Sequence, residues 1–78
     1  IGSVPQTALV RADGVERITP IAVLKVGEVV LVRSGEKIPV DGIVVGGQAS
    51  VNQAPITGES VPLDKAPGSQ VFAGTIVE

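Results

Sequence analysis

Cysteine, histidine, methionine, tryptophan and tyrosine are absent from these 78 residues, and Phe72 is the single aromatic. Without cysteine there is no disulfide and no thiolate metal site. Without histidine as well, Cys/His zinc sites, Ser-His-Asp triads and Cys-His nucleophiles are excluded within this chain. One aromatic leaves no platform on which bases stack. A charge bias is missing too: six Lys and Arg are set against eight Asp and Glu, for a formal charge of −2, with no run of one sign. Nucleic-acid binding needs a basic stripe, so it is not expected. Long apolar runs are also lacking. Ile21-Ala22-Val23-Leu24 and Val29-Val30-Leu31-Val32 fall far short of the ~20 residues of a membrane-spanning helix. The start, Ile1-Gly2-Ser3-Val4-Pro5, has no positively charged region and does not read as a signal peptide. It also has no initiator Met, and Thr75-Ile76-Val77-Glu78 ends without a turn signal. Both ends are read as cut points in a longer protein.

What is present is β-rich. Hydrophobic residues make up 44% of the chain, dominated by valine and isoleucine, and ten glycines and six prolines punctuate them. The length allows one domain, 1–78. Chains this short bury only about 60–65% of their unfolded surface and are marginally stable alone. Thr7 to Arg11 is expected as a first strand, Asp13-Gly14 as a hairpin turn and Val15 to Thr19 as the returning strand, ended by Pro20. Ile21 to Val26 leads into the turn Gly27-Glu28, and Val29 to Arg33 reads as a buried strand. Ile43 to Val45, Ala49 to Asn52, Val71 to Ala73 and Thr75 to Val77 read as short strands. Val61-Pro62-Leu63 is expected at a sheet edge, because proline cannot donate to a ladder. The window Gln48 to Ile56 has room for one short helical turn, and no segment keeps a helical period over ten residues. The expected fold is all-β: a small sandwich, a barrel, or a distorted jelly roll of the double-stranded β-helix kind.

Two loops hold the candidate chemistry. In Ser34-Gly35-Glu36-Lys37-Ile38-Pro39-Val40-Asp41-Gly42, the plain reading is a charged β-connection whose glycines supply positive φ and whose Asp41 caps a turn. That reading is favoured over a catalytic one. Metal binding by Glu36 and Asp41 is weaker still, since hard cations want about six oxygen ligands. The second loop is Thr57-Gly58-Glu59-Ser60. Glu59 is the only acid between Asp41 and Asp64. A lone carboxylate on a tight loop can accept a proton from water or a hydroxyl but cannot do paired-acid chemistry. The plain alternative is a turn in which Thr57 or Ser60 caps a backbone amide and Glu59 is solvated. The lysine and glycine spacing of a phosphate-binding Walker loop are absent.

Taken together the loops are more specific. Gly35-Glu36-Lys37-Ile38-Pro39-Val40-Asp41-Gly42, then Val51-Asn52-Gln53, then Thr57-Gly58-Glu59-Ser60-Val61-Pro62, resembles the actuator domain of P-type ATPases. Gly68-Ser69-Gln70-Val71-Phe72-Ala73-Gly74-Thr75-Ile76 resembles it too. The likeness covers the chain from about Gly27 onward. The Pro-x-Asp-Gly ending of the first loop looks most like the heavy-metal-transporting branch, with the potassium-transporting branch close behind.

The resemblance implies a distorted jelly roll that serves as a cytoplasmic domain of an integral membrane pump. Its partners would be the phosphorylation and nucleotide-binding domains and flanking transmembrane helices of the same pump. By that resemblance Glu59 is the general base that positions and deprotonates the water attacking an aspartyl phosphate, Thr57 and Ser60 shape the loop, and Gly58 allows close approach. The parent pump would use ATP and Mg2+ and move a heavy-metal cation. This fragment, expected as a monomer, would bind no cofactor or metal and would be inactive alone. The Asp-Lys-Thr-Gly phosphorylation motif is absent, and Asp64-Lys65-Ala66 is not it. Glu36 stands where aspartate is more usual. Asn52-Gln53 replaces a common acidic pair, lowering negative charge near a loop that must meet phosphate.

Two readings of other classes were weighed. A self-standing β-rich interaction module suits the size, but such adaptors generally carry aromatic grooves. A stand-alone hydrolase built on Glu59 lacks a partner base, nucleophile or metal.

Overall fold

Alternating apolar residues, broken every few positions by glycine or proline, give many short strands and almost no helix. The computed structural model describes residues 4–78, so Ile1-Gly2-Ser3 of the chain start lies outside the described residues. The strands are β1 (Thr7–Ala12), β2 (Val15–Pro20), β3 (Val29–Leu31), β4 (Gly42–Ile43), β5 (Ala49–Asn52), β6 (Leu63–Lys65), β7 (Gln70–Val71) and β8 (Ile76–Val77). A 3-10 turn, Ile21–Val23, follows β2, and one helical turn, α1 (Ala54–Thr57), follows β5. The strands form three small sheets, ordered β2-β1-β3, β4-β7 and β6-β5-β8. Every pairing is antiparallel. The all-β expectation is met. No helix among the described residues is long and apolar enough to cross a membrane.

The first hairpin forms where the sequence places it. Ala12 pairs with Val15 across Asp13-Gly14, whose φ values of 53° and 74° suit the left-handed two-residue turn that matches strand twist. Ala8 and Val10 are buried, Leu9 between them is half-buried, and Thr7 and Arg11 on either side are exposed, in keeping with the period of two. On the outer face Arg11 lies opposite Glu16 and pairs with it, and Arg33 stands 3.9 Å from the same carboxylate. These ions are well exposed, so they contribute at most about 1 kcal/mol.

Three elements meet in the core. Ile38 from the first loop, Val51 from β5 and Val77 from β8 are buried against one another, with Val32, Ala49 and Val71 packed around them. The β5 strand is central in its sheet: Val51 pairs with Leu63 of β6 on one side and Val77 of β8 on the other. Across the β5–β6 pair, the Ser50 hydroxyl donates to Asp64 Oδ1 at 2.8 Å.

Several expectations are corrected. Val29 to Arg33 is not a buried strand: β3 stops at Leu31, and Val29 is 39% exposed. Among the described residues it pairs only with β1, and a cleft of about 1040 Å³, lined by Leu24, Val30, Val32, Ile43 and Val71 among others, opens beside it. The strand expected over Ile43 to Val45 shrinks to Gly42–Ile43. Pairing continues irregularly there, Val44 N–H donating to Ser69 O and Gly68 N–H to Val44 O, both at 2.9 Å. The helical turn sits at the late end of its window, because residues 49–52 are held in a strand by neighbours on both sides.

The core assignment gives a direct contrast. Val51→Ala is expected to lower unfolding free energy by about 2–3 kcal/mol. Val45→Ala, at a position 73% exposed, should change it by less than about 0.5 kcal/mol. Urea denaturation of the two variants checks this, and equal losses would place the core elsewhere.

Candidate functional site

The first loop is a structural connection. Ile38 is buried in it, and its backbone is stitched to the end of the chain. Gly35 N–H donates to Val77 O at 2.7 Å, Ile38 N–H to Thr75 O at 2.8 Å, Gly74 N–H to Ile38 O at 2.8 Å and Val77 N–H to Glu36 O at 3.0 Å. The Glu36 carboxylate accepts from Arg33 N–H at 2.7 Å and closes the local turn. Asp41 does not cap a turn within its own loop, as the sequence suggested. Its Oδ1 accepts from Ala73 N–H at 2.8 Å, 32 residues away, and so clamps the loop to the segment after β7. Thr75 is fully buried, and its hydroxyl donates to Phe72 O at 2.7 Å. The plain reading of a β-connection thus holds for Gly35, with its φ of 86°, while Asp41 reaches a distant segment instead of a turn of its own loop.

The second loop is built differently. It emerges from α1 rather than from a strand, and α1 is tied down at both ends. At its start Ile56 N–H and Thr57 N–H both donate to Gln53 O at 2.9 Å. Pro55 has no N–H to satisfy, and Asn52 Oδ1 takes the remaining donor, Ala54 N–H, at 2.9 Å. At its end Gly58 adopts φ 79° and its N–H donates to Ala54 O at 2.9 Å. That left-handed cap is the glycine's requirement here. A Cβ built at Gly58 meets nothing within 4 Å, so its role inside this chain is conformational, not steric.

Thr57 bridges the turn and the acid. Its hydroxyl donates to Gln53 O at 3.1 Å and accepts from Glu59 N–H at 3.2 Å. Of the two hydroxyls considered as caps, Thr57 fills the role, while Ser60 lies exposed beyond it. The Glu59 backbone is thus fixed, while its carboxylate faces solvent with no ion-pair partner among the described residues. Exposed Ile56 (51%) and Val61 (69%) flank it. No three acids among the described residues cluster in a way that holds a metal. The arrangement offers one reactive group, a carboxylate anchored by its backbone and open at its tip. Asn52 was not singled out as a cap from sequence, although an Asx residue shortly before an Ala-Pro pair carries that signal. Gln53 Oε1 is buried without a hydrogen-bond partner among the described residues.

Gly58→Ala is expected to cost about 1–2 kcal/mol locally, because a Cβ disfavours the left-handed conformation. Amide hydrogen exchange at residues 56 to 59 should then speed up about tenfold. Unchanged exchange would contradict the conformational role.

Comparison with known proteins adds four findings. The sequence profile of the P-type ATPase actuator domain matches residues 2–78. The cadmium-transporting ATPase of Staphylococcus aureus is 53% identical over 74 residues, 95% of this chain and 10% of that protein. The probable copper-exporting P-type ATPase of Archaeoglobus fulgidus is 47% identical over 76 residues, 97% of this chain and 10% of that protein. Among solved structures, a zinc-transporting PIB-type ATPase in the E2.Pi state superposes with a TM-score of 0.89 at 34% identity, covering 95% of this chain and 12% of that one. The chain therefore spans about one tenth of the length of the proteins it matches. This chain belongs to the P-type ATPase actuator domain family, and the relatives it resembles are heavy-metal pumps.

Proposed function

We propose that this chain is one domain, 1–78, of a larger heavy-metal P-type ATPase, and that Glu59 is the general base for hydrolysis of that pump's aspartyl phosphate. The observation that carries the reading is the Glu59 loop itself. The backbone at Glu59 is fixed by Thr57 Oγ1, the turn behind it is locked by Gly58, and the carboxylate is left open to solvent. A base that is inserted into a site on another domain and withdrawn each cycle needs that combination of a stiff stem and a free tip.

The chemistry balances simply. A water held by the Glu59 carboxylate attacks the phosphorus of the aspartyl phosphate and gives up its proton to that carboxylate. The bond from phosphorus to the aspartyl oxygen breaks, releasing inorganic phosphate and a free aspartate. Ser60 and Thr57 shape the loop, and Gly58 lets its backbone come close to the phosphate. The flanking Ile56 and Val61 would help exclude bulk water once the loop is docked, which strengthens electrostatic effects there. The phosphorylated aspartate and the groups that hold ATP and Mg2+ lie on the phosphorylation and nucleotide-binding domains, the partners of this one. The cargo is a heavy-metal cation, handled by membrane helices, and the actuator domain sits on the cytoplasmic side.

In the full-length pump, Glu59→Gln should slow phosphoenzyme decay by about 10²–10⁴-fold, the usual weight of a general base, while phosphorylation by ATP persists. Decay at the wild-type rate would refute the assignment.

A further inference from the structure

We infer that Asn52 is a positioning residue for Glu59, a role that rests on the reading of Glu59 as the base. Asn52 ends β5 beside Val51, which is 2% exposed, and pairs in register with Ile76 of β8. Its backbone is therefore held in the ladder next to the best-buried residue of the hydrophobic core. Its side chain is what joins that strand to the reactive loop.

The hydrogen bonds of α1 show why this one residue matters. The first turn of a helix leaves its N–H groups without intrahelical partners. Here Pro55 has none to offer, and Ile56 and Thr57 are served by Gln53 O. Ala54 N–H is left, and Asn52 Oδ1 accepts it. The carbonyl of the same Ala54 accepts from Gly58 N–H. Ala54 thus links the Asn52 carboxamide to the left-handed cap from which Glu59 departs. Thr57 forms the other link, from Gln53 O to Glu59 N–H. Among the described residues, the Asn52 carboxamide supplies the side-chain hydrogen bond between the end of β5 and α1, while the other bonds of α1 lie inside the turn. The Ala54 donor needs an oxygen at this place. Asn52 Nδ2 plays no part, so aspartate can do the same work and alanine cannot.

The test uses the full-length pump in membranes and compares phosphoenzyme decay in five variants, Glu59→Gln among them. Asn52→Ala should decay about fivefold more slowly than wild type, with phosphoenzyme formation from ATP unchanged. Asn52→Asp should decay within about twofold of wild type. Asn52→Leu, branched at Cγ like asparagine but without an acceptor, should behave as Asn52→Ala and serves if the alanine variant does not accumulate. Adding Asn52→Ala to Glu59→Gln should slow decay no further, because Asn52 acts only through Glu59. A purely structural loss would add to the Glu59 effect. Wild-type decay in Asn52→Ala or Asn52→Leu, failure of Asn52→Asp to rescue, or additional slowing in the double variant would each overturn the inference. Slow decay in Glu59→Gln with normal decay in Asn52→Ala would overturn this inference alone. Normal decay in Glu59→Gln would remove the functional reading beneath it.

Discussion

The burial of Val51 between Ile38 and Val77 is the constraint on which the rest of the structure depends. It joins the first loop, the central strand of one sheet and the end of the chain at a single point. Burying such side chains is worth about 1.5–3 kcal/mol each, so the three together contribute ~5–9 kcal/mol. That is comparable with the whole net stability of a small domain, roughly 5–15 kcal/mol. Against it the exposed Arg11–Glu16 pair is a minor term. Directly beyond Val51 the chain leaves β5 through Asn52, makes one helical turn and presents Glu59. The proposed base therefore follows, after one helical turn, a strand whose Val51 is 2% exposed.

The two loops divide structure and chemistry between them. The first, from Ser34 to Gly42, spends its polar groups inward. Glu36 closes its own turn, Asp41 clamps Ala73, and four backbone bonds join the loop to residues 74–77. The second spends them on its own stem and leaves its carboxylate free. Acids of similar chemistry thus have opposite fates, decided by whether a backbone N–H lies within reach. A loop proposed to dock on a separate domain would gain from order fixed beforehand, since less freedom is lost on docking.

Much of this was legible in the sequence, and the exceptions share a cause. The hairpin at Asp13-Gly14, the edge position after Pro62 and the all-β class follow from local rules and were read correctly. The Thr57-Gly58-Glu59-Ser60 loop was visible as a motif, and with the first loop it carried the resemblance to the actuator family. The burial of Val29 to Arg33 was misread because apolar composition does not reveal whether a strand's second face is covered, and β3 opens onto a cleft. The reach of Asp41 to Ala73 was missed because a turn-former's local partner is the default when tertiary contacts are unseen. Asn52 was read as a change of charge when its function in this fold is that of an acceptor. Each miss concerns a partner distant in sequence, where periodicity and propensity carry no information.

Isotopic oxygen exchange between water and inorganic phosphate, catalysed by the full-length pump, tests the central claim most directly. It reports water activation at the aspartyl phosphate without involving nucleotide. If Glu59 is the base, Glu59→Gln should reduce the exchange rate by about 10²-fold or more while phosphate still binds. Exchange at the wild-type rate in that variant would contradict the account, because the water would then be activated by a group outside this domain.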